Sequence, residues 1–223
     1  NALGYRTAVL DADITGPSIP KMFGVHERAR GNEGQIFPVR SKSGIQLISM
    51  NCLLENEEDP VVWRGALIAG ATVQFWTDVV WDDVDIMFID MPPGTGDVPL
   101  SVFQSIPVSG IVVVATPQDL VEMIVGKAVK MARLMNVPIL GYAENMSYLN
   151  CPDCGNKIEL FGKSKADEIL KRYQIPAAAR IPVDPAFASL ADGGKIEEAD
   201  TDALKEVFEE IRRAKEIGAY SAE

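Results

Sequence analysis

Four short apolar runs, each breaking off into a polar loop, constrain this chain more than any other feature. Residues 6–11 (RTAVLD), 85–90 (DIMFID), 110–115 (GIVVVA) and 138–143 (PILGYA) are rich in Val and Ile and hardly alternate. A strand with one face in water alternates apolar with polar, whereas a strand covered on both faces reads as one continuous apolar run. A weaker fifth run lies at 179–181, and helical stretches fill 67–80, 118–135, 163–173 and 202–217. In the second of these, Leu120, Ile124, Ala128, Met131 and Met135 fall on one side. Strands alternating with helices predict right-handed βαβ units, hence an α/β fold: a doubly wound, mostly parallel sheet with helices on both faces. Residues 36–39 and 45–50 read as an antiparallel flap or edge hairpin. The whole span 1–223 reads as a single domain, with a small insertion around 148–160.

Charge narrows the function. A net charge of −11 repels phosphate backbones and anionic lipid, so neither nucleic acid nor membrane is an expected partner. No apolar run reaches the ~18 residues of a membrane span, and the first residues carry no signal-peptide pattern. Three cysteines in 223 residues do not make a disulfide scaffold, so the expected location is the reducing cytoplasm. Asn1-Ala2-Leu3-Gly4 reads as the last turn of a helix with Gly4 as its left-handed cap, and a strand follows at once. The expectation is that a strand, a loop and most of a helix precede residue 1.

Ligands of open α/β sheets sit beyond the C-terminal ends of the strands, so the loops there hold the candidate residues. Asp11-Ala12-Asp13 ends the first run, and Asp13 is placed to orient a water or meet Mg²⁺. Asp90 ends the second run in the Walker-B manner, and Gly94 and Gly96 in the following Pro-Pro-Gly-Thr-Gly turn let backbone approach a γ-phosphate. Glu144-Asn145-Met146-Ser147 follows the fourth run as a loop, where the Asn145 amide can both donate to and accept from a purine edge. Pro182 and Val183, after the fifth run, form the other wall of a base pocket.

Cys151-Pro152-Asp153-Cys154-Gly155 has the form of a metal knuckle, in which two thiolates grip one centre while backbone N–H groups face the sulfurs. Such a site takes four ligands and the chain offers no second pair. Cys52 sits in an apolar stretch as a core thiol, and His26 reads as a surface or hinge residue. The economical solution is a two-fold homodimer with two cysteines from each copy. Bridging zinc, an iron–sulfur cluster and a thioredoxin-like dithiol all remain open for the pair. The dithiol is the weakest, because no helix clearly starts at Cys154. The last helical stretch, with Val207, Phe208, Ile211, Ala214 and Ile217 on one face, reads as packing on the domain.

Taken in order, Asp11-Ala12-Asp13 with Gly16-Pro17-Ser18, Val62-Trp63-Arg64-Gly65, Asp90-Met91-Pro92-Pro93-Gly94-Thr95-Gly96-Asp97, Glu144-Asn145-Met146-Ser147 and Cys151-Pro152-Asp153-Cys154-Gly155 resemble the Mrp/ApbC-type iron–sulfur cluster carrier ATPases. These are a branch of the MinD-like deviant P-loop NTPases, and the likeness covers nearly the whole chain. The resemblance implies an ATP hydrolase that works as a homodimer, holds a [4Fe–4S] cluster and passes it to apo iron–sulfur proteins. By it, Asp13 matches the switch aspartate that orients the attacking water, Asp90 the Walker-B aspartate, Asn145 the adenine-contacting residue and Cys151 and Cys154 the cluster-bridging pair, with Pro182 in the adjoining base-pocket loop. The family's Lys-Gly-Gly-x-Gly-Lys-Ser/Thr phosphate loop is expected before residue 1; Gly31-Asn32-Glu33-Gly34 and Gly162-Lys163-Ser164 lack its spacing. Two rival functions stand beside this one. One is a MinD/ParA-type positioning switch, and the other is a dimer bridged by structural Zn²⁺ without cluster transfer.

Overall fold

The computed structural model describes residues 1–32, 34–54 and 65–220, apart from the side chains at 65, 66, 119–122 and 218–220. Val62, Trp63 and Arg64 of the second motif therefore lie outside the described residues. The strands are β1 (Thr7–Asp11), β2 (Arg30–Asn32), β3 (Gln35–Phe37), β4 (Val39–Arg40), β5 (Gln46–Ile48), β6 (Ile86–Asp90), β7 (Ile111–Ala115), β8 (Ile139–Asn150), β9 (Lys157–Ile158) and β10 (Ala178–Pro182). The helices are α1 (Ile19–Met22), α2 (Gly65–Thr77), α3 (Asp97–Ser105), α4 (Asp119–Leu134), α5 (Ala166–Tyr173), α6 (Pro185–Asp192) and α7 (Lys205–Tyr220). The chain divides into two compact units, the first Asn1–Ile106 with Ala186–Ala199, the second Pro107–Pro185 with Asp200–Glu223.

The first unit is built on a sheet of order β4-β5-β1-β6, in which β1 runs parallel to both β5 and β6. Its apolar run is the reason β1 lies inside: Ala8 and Leu10 are fully buried, as are Leu47 and Ile48 of β5. The expected flap resolves into two pieces. Val39–Arg40 turns back antiparallel onto β5, while Gln35–Phe37 pairs with Arg30–Asn32 in a separate two-stranded ribbon. Helix α3 emerges where the sequence showed only a Pro-Gly turn. Gly96 ends that turn extended, Asp97 sits in the first helical turn against the positive helix end, and Pro99 is tolerated so close to the start.

The second unit carries a sheet of order β10-β8-β7, all parallel, with β9 antiparallel to the far end of β8. On one side Val113, Val125, Val129, Tyr142, Ala166, Ile169 and Ile175 make a core of β7, β8, α4 and α5. Ala143, Ala177, Ala179 and Val207 make a second, under α7. β6 and β7 each end their own sheet, and Phe88 and Val114 on them are exposed.

β8 departs most from expectation. The run at 138–143 continues as strand through Asn150, taking in Glu144-Asn145-Met146-Ser147, which is not the loop the sequence suggests. The cause is partnership: β10 runs beside it as far as the Pro182–Tyr148 pair, and β9 takes Leu149 and Asn150. Between the Arg180–Glu144 and Pro182–Tyr148 pairs β8 advances four residues against two on β10. Met146, at φ +54, absorbs the difference in the left-handed region.

Gly141 is the tight point of this unit. A Cβ there would come within 2.7 Å of Val207 Cγ1 and 3.0 Å of its Cγ2, and a buried β-branched side chain has no rotamer to yield into. Gly141→Ala is expected to destabilise the protein by about 1–3 kcal/mol through overpacking, and adding Val207→Ala should recover part of the loss. Urea denaturation of the single and double variants checks this; an additive double variant contradicts it.

Candidate functional site

In the first unit, parallel pairing sets Asp11 beside Asp90 at the C-terminal ends of β1 and β6. The Ala12 N–H donates to the Asp90 carbonyl at 2.7 Å, locking the two strand ends together. Asp11 is almost wholly buried. One of its carboxylate oxygens accepts from the Ser49 hydroxyl at 2.9 Å, the other from the Asp13 N–H at 3.2 Å. Asp13, half-buried, accepts in turn from Thr15 Oγ1 at 3.0 Å and from the Gly16 N–H at 3.3 Å. The loop is thus a chain of carboxylate-anchored turns. Asn51 adds to it by donating to the Pro17 carbonyl at 3.2 Å.

The electrostatics follow from crowding. Desolvation pushes the Asp11 carboxyl up to about 6, the Ser49 hydrogen bond opposes that, and the nearby Asp90 reinforces it. Asp90 is likewise raised, first by desolvation and then by Asp13. Three carboxylates sharing one strand edge repel one another, and a divalent cation would relieve that repulsion. Even so, no group of three or more His, Cys, Asp or Glu among the described residues is placed to ligate one ion directly. A contact through water, as at Walker-B sites, suits this arrangement. Gly94 stands in the exposed turn after β6 at φ +98, a conformation closed to most side chains.

In the second unit, Asn145 lies half-buried on β8, between the residues paired with Arg180 and Pro182. Its Oδ1 accepts from the Met146 N–H at 3.0 Å. The Val183 N–H donates to the Tyr148 carbonyl at 2.7 Å. Asn145 on β8 and Pro182 on β10 are thereby brought onto adjacent strands, with Val183 just beyond β10, although Pro182 closes β10 itself where a loop position was expected. Sequence reasoning missed Glu144, which is fully buried and accepts from Ser147 Oγ at 2.5 Å and from the Lys165 N–H at 3.0 Å. It also passed over Asp11 in favour of Asp13. The signal was present in both cases, since each is the first acid at the end of an apolar run, where burial is greatest.

Cys151 and Cys154 stand on the hairpin that joins β8 to β9. The Cys151 N–H donates to the Asn156 carbonyl and the Gly155 N–H to the Cys151 carbonyl, both at 2.9 Å, and Gly155 takes φ +71. The turn closes as the sequence pattern requires. The backbone N–H groups of Cys154 and then Asp153 face the Cys151 sulfur, and with the Cys154 thiol they hold its pKa below the usual thiol value. Cys154 is exposed, Cys151 half-buried, and Cys52 a buried core thiol as expected.

Residues 1–215 match the family model described as ParA, NUBPL iron-transfer P-loop NTPase. The chain belongs to this family. Among relatives of the iron-transfer P-loop NTPase, the iron-sulfur cluster carrier protein of Clostridium perfringens is 42% identical over 203 residues, 87% of this chain and 71% of that protein. The nucleotide-binding protein of Archaeoglobus fulgidus in complex with ADP superposes with a TM-score of 0.80 at 37% identity, over 92% of this chain and 80% of that one. The cell division ATPase MinD of Pyrococcus furiosus shares the fold at a TM-score of 0.62 and 16% identity, over 95% of this chain and 87% of that one. The expected α/β, MinD-like class and the resemblance to cluster carriers both hold. No helix among the described residues is long and apolar enough to cross a membrane.

The raised Asp11 pKa has a consequence for stability. A carboxyl whose folded pKa lies above its unfolded value stabilises the fold fully below about pH 4, and that contribution is lost as pH rises through about 6. Asp11→Asn keeps the shape, and the Ser49 hydroxyl can turn to accept from the new amide. In EDTA, urea denaturation from pH 4 to 7.5 should show the wild type losing up to about 3 kcal/mol relative to this variant. Parallel stability profiles of the two proteins would contradict the burial argument.

Proposed function

We propose that this iron-transfer P-loop NTPase is a nucleotide-gated carrier that takes a [4Fe–4S] cluster between two copies of itself and delivers it to apo-proteins. One observation carries the reading: the β8–β9 hairpin presents two thiols, backbone N–H groups facing one sulfur, with no third ligand gathered near them among the described residues. A cluster takes four thiolates, and a two-fold pair of chains supplies them without any further residue. A single-chain structural zinc site would want its remaining ligands close by. The cluster is cargo here, so exposure of Cys154 favours its exchange with an acceptor. The name of the Clostridium perfringens relative and the ADP complex of the Archaeoglobus fulgidus neighbour support cluster carriage and nucleotide binding in this chain too.

In the nucleotide reaction, Asp13 orients the attacking water, held in place by its turn to Thr15 and Gly16. Asp90 would hold Mg²⁺ through water, and Asp11 anchors the Asp13 loop by accepting from the Asp13 N–H. The ion, when bound, would neutralise phosphate charge. Gly94 gives the loop after β6 the freedom to close on a γ-phosphate and reopen when it leaves. Asn145 reads the adenine edge, with Pro182 and Val183 as its wall. None of the 223 residues forms a Lys-Gly-Gly-x-Gly-Lys-Ser/Thr run, so the phosphate cradle is assigned to none of them.

Anaerobic reconstitution is expected to load about four iron atoms per dimer, with a thiolate-to-iron absorbance band. The Cys151→Ala, Cys154→Ala double variant should load none. Iron uptake by that variant at the wild-type level defeats the assignment. Zinc retained at one stoichiometry under aerobic and anaerobic purification alike would favour the structural-metal reading instead.

A further inference from the structure

An open cavity of about 580 Å³ lies within the second unit and takes no part in the assignments above. Pro117, Gln118, Phe161, Lys163, Lys165 and Glu168 line it. Its size is that of a ligand site, and its walls come from the end of β7, the loop between β9 and α5, and the first turn of α5. That loop has defined geometry. Gly162 turns it at φ +96, and the Lys165 N–H is tied at 3.0 Å to the buried Glu144 carboxylate. The lip of the cavity is therefore pinned to the strand that runs on into the cysteine hairpin.

The lining carries Lys163 and Lys165 against Glu168, a local excess of one positive charge on a protein of net charge −11. Lys157 is held over the Tyr148 ring at 4.1 Å, and Lys163 has no ion pair among the described residues. Ile158, Leu160 and Phe161 stand exposed among these lysines. Glu168, which also lines the cavity, disfavours a compact polyanion such as free phosphate. A polypeptide whose carboxylate is flanked by apolar and amide groups matches all the walls at once.

We infer that this cavity docks an acidic, partly apolar segment of the protein that receives the cargo, holding it beside the Cys151–Cys154 hairpin. The inference rests on the carrier reading, since it names the recipient's foothold. The lining resumes at Phe161, about seven residues along the chain from Cys154 and just past β9.

The test uses the full chain, with and without reconstituted cluster, and an apo-ferredoxin of net negative charge as probe. Zero-length carbodiimide coupling should join probe carboxylates to Lys163, located by mass spectrometry of the linked peptides. In fluorescence anisotropy, Lys163→Glu should weaken binding about tenfold and Lys163→Gln less, both with wild-type iron loading. Phe161→Ala should weaken it too. Absence of coupling at Lys163, coupling there only between two copies of this chain, or an unchanged Kd for Lys163→Glu each overturns the inference. Binding through Lys163 by a wild-type protein that loads no iron would sink the carrier reading and leave the docking site. Normal loading with Lys163-independent binding would do the reverse.

Discussion

A carboxylate taken out of water on a strand must be hydrogen-bonded or protonated, and this protein places one in each of its two units. Asp11 closes β1 and is satisfied by Ser49 from the 3₁₀ turn after β5 and by the backbone of its own loop. Glu144, on β8, is satisfied by Ser147 and by the backbone just before α5. Both acids act on neighbouring residues more than on a ligand. Asp11 shapes the loop that presents Asp13, and Glu144 fixes the stretch from Asn145 to Ser147 and the lip of the lysine-lined cavity. The groups proposed to meet nucleotide and partner are thus positioned by acids that are themselves almost inaccessible.

The length of β8 gives the second unit its logic. A strand of 12 residues runs from the core at Tyr142, past Asn145 and the bulge at Met146, to the hairpin that carries Cys151 and Cys154. The amide proposed to face the base and the thiols proposed to hold the cluster then stand on one continuous piece of backbone, with β10 and β9 as successive partners. A shift in how Asn145 is held reaches the thiols through strand, not through a slack loop. That is the physical route by which nucleotide would influence the grip on a cluster.

Much of this was legible beforehand. The Val- and Ile-rich runs located β1, β6, β7 and β8, because an apolar stretch of that length has few other ways to leave water. Cys151-Pro152-Asp153-Cys154-Gly155 announced its own turn, since only glycine takes the conformation after the second thiol without strain. Helix α3 was hidden by Pro99, which reads as a breaker unless one knows that it lies in a first turn. The strand character of residues 144–150 was hidden because Glu144, Asn145 and Ser147 break the apolar run and their pairing partners, β9 and β10, lie later in the chain.

By itself, then, the sequence determined the local chemistry: which runs must be buried, which acids end them, and that two thiols share one turn. These are properties of residues within a few positions of each other, where sterics and solvation act directly. Tertiary structure alone decided that Asp11 and not Asp13 is the buried carboxylate, that Glu144 anchors the lip at Lys165, and that Lys163 and Lys165 share a cavity with Gln118 and Phe161. Each of these depends on partners brought together by strand register, and register is set by the packing of the whole unit, which no short window of sequence records.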